Sequence, residues 1–302
     1  MRAIVTGGAG FIGSHLVEAL LANADEVDAV DNLSTGSREN LPPAVEVHDL
    51  DVRDEALAGL VARLRPDVIF HLAAQADVGT SVERPAFDAD VNVVGTVRVL
   101  EAARAIGARL VFASTGGAIY GECERPAREG DERRPVSPYA TSKLAGEEYL
   151  ATWNRLYGTR HIVCRLANVY GPRQLPALEG GVVAIFLDRL RDRRETEIFG
   201  DGEQTRDFVF VGDVAQGFLA AARAGHAGIY NVGTGAATTV RDLHRLCAEA
   251  AGIDQQPRFS PERPGDIRDS VLDPALAERE LGWHAETTLE EGLAHTWAWA
   301  SR

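Results

Sequence analysis

The chain is expected to adopt an α/β fold, a doubly wound parallel sheet followed by a smaller C-terminal α/β region. Three observations predict it. Strand-like and helix-like stretches alternate from residue 2 to about residue 166, and such alternation means parallel strands covered by helices on both faces. A glycine-rich turn, Gly7-Gly8-Ala9-Gly10-Phe11-Ile12-Gly13, stands directly between the first strand and the first amphipathic helix. An acid, Asp31, closes the second strand, 18 residues beyond Gly13.

Taken in order, Arg2 to Thr6 reads as a buried strand, and Ile12, Leu16, Ala19 and Leu20 share one face of the helix after it. Gly7, Gly10 and Gly13 allow a tight turn, close approach of backbone N–H groups to a pyrophosphate, and close packing of helix on sheet. Glu26 to Val30 is the second strand, and the Asp31 carboxylate can accept from both hydroxyls of an adenosine ribose while repelling a 2′-phosphate. Asn32-Leu33-Ser34-Thr35-Gly36 is a turn that Asp31 can also cap. Val45 to Val47 is strand-like and leads into Asp51-Val52, then a helix from about Glu55 to Leu64. Val68 to Leu72 runs into Ala73-Ala74-Gln75, where small residues let a flat ligand lie against the backbone. One long helix is predicted over Phe87 to Ile106, and Arg109 to Ala113 is the fifth strand, ending in Ser114-Thr115-Gly116-Gly117.

Pro138 opens a helix over Tyr139 to Tyr157, which places Tyr139 and Lys143 on one face, one turn apart. An ammonium beside a phenol favours the phenolate and makes a base able to take a proton from an alcohol. Lys143 is the only lysine in a chain of 31 Lys+Arg. After the strand His161 to Leu166 the alternation breaks. Residues 1–167 are therefore expected to form the first domain and 168–302 the second. The first is expected to reclaim about 207–233, with a strand at Phe208 to Val211 and Asp213 as a helix N-cap.

With 302 residues, 45% apolar and 25% charged, the chain is an ordinary globular protein of about two domains. A net charge of −14 argues against nucleic acid and anionic membranes as partners. Cys123, Cys164 and Cys247 fit neither a disulfide framework nor metal spacing, so no metal is expected. With no basic leader and no run of 18 apolar residues, a cytoplasmic location is expected.

The glycine turn, Asp31, the Ser-Thr strand end and Tyr139-x-x-x-Lys143, in this order, resemble the extended short-chain dehydrogenase/reductase family. Within it the chain resembles nucleotide-sugar enzymes of the UDP-glucose (UDP-galactose) 4-epimerase type, over essentially its whole length. Asp31-Asn32-Leu33, Asp51-Val52, Asn92, Asn168, Ile198 to Gly200, Arg206-Asp207 and Arg263-Pro264-Gly265-Asp266 fall where that family has motifs. The resemblance implies a Rossmann-type domain holding NAD, with Gly7, Gly10, Phe11, Ile12, Gly13, Asp31, Asn32, Ser34, Thr35, Gly36, Asp51, Val52, Leu72, Ala73, Ala74, Gln75, Asn92, Tyr139 and Lys143 as cofactor candidates. It implies a UDP-sugar partner gripped by Arg206 and Arg263 at the diphosphate, Asp266 at the uridine ribose, Phe199 near the uracil and Asn168 at the phosphates. Val182 and Ser270 complete the substrate candidates, and the small Ser270 would leave room for an N-acetyl group. Tyr139 would be the base, and homodimers would form through helices at about 87–106 and 139–157.

One departure stands out. Better-known epimerases carry a hydroxyl residue four before the tyrosine of the Tyr120-Gly121 pair, and this chain has Gly116 there. Thr115 or Ser114 must then supply the hydroxyl, with Thr115 favoured, or it is missing. Gly116 and Gly117 also offer no acid of the kind that dehydratases and decarboxylases of the family carry. A 4-epimerase of another UDP-sugar (UDP-GlcNAc or UDP-glucuronate) and a catalytically silent NAD-binding protein are the alternatives.

Overall fold

The computed structural model describes residues 1–176, 181–262 and 267–302. Six strands, β1 (Arg2–Thr6), β2 (Glu26–Asp31), β3 (Glu46–Asp49), β4 (Val68–His71), β5 (Arg109–Thr115) and β6 (Ile162–Leu166), join a seventh, Gly228–Val232, in one sheet. Its order is Gly228–Val232, β6, β5, β4, β1, β2, β3, and every pairing is parallel. From β1 the chain winds outward through β2 and β3, then crosses to β4 on the other side of β1. The order reverses there, and ligands of such sheets bind in the crevice at the strands' carboxyl ends.

Strand side chains alternate between two cores. Ala3, Val5, Val68, Phe70 and Val111 pack with Leu16 and Leu20 of α1 (Phe11–Ala22) and Phe218 of the helix Val211–Arg223. Ile4, Ile69, Leu110 and Phe112 face the opposite core. There they meet Leu57 and Leu60 of α2 (Ala56–Leu64), Val99 and Leu100 of the helix ending at Ile106, and Leu150. A third core joins the helices Val182–Arg191, Val240–Ala251 and Leu289–Ala300 through Phe186, Leu187, Leu243 and Leu293.

The expected α/β parallel sheet is present, with three local differences. The helix predicted over Phe87 to Ile106 is three pieces after the short α3 (Val78–Glu83): α4 (Pro85–Ala89), a π-helical turn Asp90–Val94, and α5 (Gly95–Ile106). The π turn centres on buried Asn92, whose side chain bonds both the N–H and the carbonyl of Gln75, at 2.9 Å each. Phe208–Phe210 is a strand, but it pairs with Asn168–Tyr170 outside the main sheet. Asp213 is not an N-cap. It lies in the first turn of Val211–Arg223, where its carboxylate accepts from the Thr287 N–H at 3.0 Å and hydroxyl at 3.2 Å.

Candidate active site

The glycine turn is built for close approach. Gly7 has φ +69°, and a Cβ on Gly13 would lie 2.0 Å from the Gly7 carbonyl oxygen. A Cβ on Gly7 would sit 2.7 Å from the Ala73 nitrogen, so the ends of β1 and β4 meet backbone to backbone. Gly10 caps α1 without a side-chain hydrogen bond, which leaves N–H groups at the positive helix end for an anion. Asp31 accepts from the Ala9 and Leu33 N–H groups, each at 2.9 Å. Burial pushes its pKa above the usual carboxylate value, and those two backbone bonds oppose the rise. Each oxygen keeps a lone pair for a further donor.

This turn opens into a cavity of about 670 Å³. Gly7, Gly10, Phe11, Ile12, Gly13, Asp31, Asn32, Ser34, Thr35, Asp51, Val52, Leu72, Ala73, Ala74 and Gln75 line it, together with Ser114, Tyr139 and Lys143. Gly36 and Asn92 stand behind the wall. A Cβ on Gly36 would come within 2.9 Å of the Ala9 carbonyl carbon, and Asn92 holds Gln75 as described. Arg53, Phe87 and Gln174 are among the lining residues that the sequence does not single out. Arg53 pairs with Asp51 and with Asp90, each at 2.8 Å, and holds the Asp51 carboxyl far below the usual range. Phe87 packs under both Arg53 and Arg84. Buried Gln174 donates to the Val169 carbonyl at 3.1 Å. Arg53 adjoins the Asp51-Val52 motif and Phe87 opens the predicted long helix; nothing beside Gln174 in the sequence marks it.

A short helical turn, α6 (Gly116–Ile119), follows β5, and helix α7 (Pro138–Tyr157) supplies the reactive pair. Ser137 caps it by accepting from the Ala140 N–H at 3.2 Å, and Pro138 takes the first turn. Tyr139 faces the cavity, and Lys143 beside it is 4% exposed. The Lys143 ammonium donates to the Ala113 carbonyl at 2.8 Å and lies 4.8 Å from the centre of the Phe112 ring. Desolvation lowers its pKa to about 8, against the opposing charges of Asp88 and Glu147.

Below the end of β5 lies a buried ion pair. Arg165 on β6 meets Glu147 of α7 at 2.6 Å, with both side chains excluded from solvent. Its other nitrogen donates to the Tyr120 hydroxyl at 2.7 Å, which in turn donates to Asn231 at 2.8 Å. Ser114 donates its hydroxyl proton to Glu147. Ser114 lines the cavity, but that proton is committed. Thr115 is half-buried at the strand end, and its side chain makes no cap bond. Leu272 fills the space beside Gly116: a Cβ there would lie 2.4 Å from one of its methyls.

The substrate candidates surround this end of β5 only in part. Asn168 Oδ1 lies 3.2 Å from where a Gly117 Cβ would be, and the buried Ser270 hydroxyl donates to the Gly117 carbonyl at 3.3 Å. Arg206 pairs in register with Ser270, and its guanidinium donates to the Thr205 carbonyl at 2.7 Å. Phe199 pairs with Ser260, and Val182 begins its helix; neither lines the cavity. Arg263 and Asp266 lie outside the described residues. Asp28, Glu46 and His48 also come together at the sheet edge, where His48 bonds Asp28 at 3.1 Å.

The chain matches the model of the NAD dependent epimerase/dehydratase family over residues 3–233. It is 49% identical to a UDP-glucose 4-epimerase of Mycolicibacterium smegmatis, across 98% of this chain and 97% of that relative. Its structure superposes with a TM-score of 0.96 on the Thermotoga maritima UDP-glucose 4-epimerase with UDP-glucose, at 45% identity, covering 99% of this chain and 98% of that one. The Thermus thermophilus UDP-glucose 4-epimerase in complex with NAD matches at a TM-score of 0.94 and 46% identity, covering 99% of each chain.

Proposed function

The chain belongs to the NAD dependent epimerase/dehydratase family, and from that premise we propose that it interconverts UDP-glucose and UDP-galactose. It does so by inverting C4 of the hexose through a 4-keto sugar. One observation carries the reading: the glycine turn, Asp31, Tyr139 and Lys143 all face a single cavity, in a chain whose relatives bear this activity by name.

The residues present fit NAD. The uncapped start of α1 and the close packing of Gly7 and Gly13 suit a pyrophosphate. Asp31 has lone pairs for ribose hydroxyls, and its charge disfavours a 2′-phosphate. The bound dinucleotide supplies the acceptor and donor for the hydride at C4. The remaining chemistry is the chain's own. Tyr139 takes the proton of the 4-hydroxyl and returns it, with Lys143 lowering the cost of the phenolate. Thr115, whose side chain is not committed to a cap, donates to the sugar oxygen, while Ser114 stays bonded to Glu147. Asn168, Val182, Phe199, Arg206, Arg263, Asp266 and Ser270 hold the nucleotide sugar. In this reading residues 1–167 with about 207–233 hold NAD, and the rest of 168–302 grips the UDP-sugar.

No helix among the described residues is long and apolar enough to cross a membrane. The proposed location is the cytoplasm. Leu156 and Tyr157, exposed at 66% and 49% on α7, support a homodimer formed through that helix; a monomeric mass in light scattering would count against it.

The small side chain of Ser270, beside the Gly117 carbonyl, is the ground for a second substrate, UDP-GlcNAc. Purified protein offered each nucleotide sugar separately is expected to convert UDP-galactose to UDP-glucose and UDP-GlcNAc to UDP-GalNAc. An inert UDP-GlcNAc beside an active UDP-galactose would remove the second substrate; silence on both would remove the assignment.

A further inference from the structure

Lys143 is the chain's one lysine, and its ammonium is buried. A buried charge without a counter-charge is costly, so such groups pair or lose their charge. Several charged or titratable groups belong to elements packed around Lys143. On α7 these are Tyr139 and Glu147. Glu147 is already matched by Arg165 at 2.6 Å. On β4, His71 is held between the hydroxyls of Thr6 and Thr96 at 2.7 and 3.0 Å, and burial keeps it neutral, its pKa lowered to about 3. That leaves Asp88 on α4.

Asp88 is fully buried. Its Oδ1 accepts from the Gln75 and Asn92 side-chain amides, each at 3.0 Å, while its Oδ2 has no hydrogen-bond partner among the described residues. Nor does an arginine, lysine or histidine form an ion pair with it among those residues: Arg84, one turn back, stacks on Phe87, and Arg53 and Arg165 are taken by other acids. The same Asn92 amide reaches Ser142, the neighbour of Lys143, at 3.1 Å. An unmatched buried carboxylate on α4 and an unmatched buried ammonium on α7 thus belong to two adjoining elements that this amide ties together. We propose that Asp88 is the counter-ion of Lys143, acting as a positioning residue that keeps the ammonium charged beside Tyr139. The π turn is what presents Asn92 to both Asp88 and Ser142. Asp88 does not line the cavity; it acts through Lys143.

The pairing does not depend on which sugar is turned over, and a melting experiment tests it without activity. Asp88→Asn and Lys143→Met are each expected to lower the melting temperature of the cofactor-loaded protein. Adding Asp88→Asn to Lys143→Met is expected to raise it again, because the double variant buries no unmatched charge. Losses that simply add would overturn the pairing and leave Asp88 as an acceptor for Gln75 and Asn92. Should Asp88→Asn not accumulate, Lys143→Met and Lys143→Arg decide. Lys143→Met leaves the Asp88 carboxylate buried without a counter-charge, so it should lower the melting temperature more than Lys143→Arg, which keeps the cation. Equal losses for the two variants would also overturn the proposal.

The activity arm rests on the epimerase reading. In Asp88→Asn the Lys143 proton is lost at lower pH, so the alkaline limb of the kcat profile should move down by about one unit or more, with KM little changed. A limb that stays in place while the protein still turns over would contradict it.

Discussion

Tyr139→Phe is expected to lower kcat for UDP-galactose by about a thousandfold, within the range that positioned acid–base groups contribute, while the protein keeps its NAD. The substitution removes one oxygen and preserves the ring, so α7, its Ser137 cap and the buried Lys143 should stay in place. KM should change little, because the phenol acts on a proton that moves only during reaction. Thr115→Val is expected to have a smaller effect, about a hundredfold or less, as the loss of one hydrogen-bond donor to the reacting oxygen. Steady-state kinetics and the absorbance of retained cofactor check both. A Tyr139→Phe enzyme within about tenfold of wild type would place the base elsewhere.

Arg165→Met should produce the largest loss of stability. Removing one partner of a fully buried ion pair leaves the other charge uncompensated, at a cost of roughly 3–5 kcal/mol. Here it would also strip the Tyr120 hydroxyl of its donor and free the carboxylate that holds Ser114. Glu147→Gln added to it should recover part of the loss, because the stranded anion is then gone. Denaturant unfolding of the two variants measures this. A loss for Arg165→Met below about 1 kcal/mol, the scale of an exposed pair, would mean that the network does not anchor α7.

The parts of this molecule that are legible in its sequence are the local ones. The strand-to-turn-to-helix order around Gly7 to Gly13 is written in adjacent residues, and so is the opening of α7 at Ser137-Pro138. What the sequence hides depends on residues far apart in the chain. The π turn at Asp90–Val94 goes with Asn92 reaching the backbone of Gln75, and no periodicity within 87–106 signals that bond. Asp213 has the residue type of a cap, yet its carboxylate is taken by Thr287 from the C-terminal region. The glycine at 116 reads in the sequence as a missing hydroxyl; the structure shows Leu272 filling the space where a side chain would go. Glu147 and Arg165 look like two ordinary charges until β6 lies beside α7.

The central claim is that hydride leaves and re-enters the same carbon of the sugar. UDP-galactose deuterated at C4, given to the purified protein without added cofactor, tests it most directly. UDP-glucose carrying the deuterium at C4 is the expected product, with none of the label in water. Conversion with the label lost to solvent would mean that C4 is inverted through proton exchange, and the roles given to Tyr139 and the cofactor cavity would have to be abandoned.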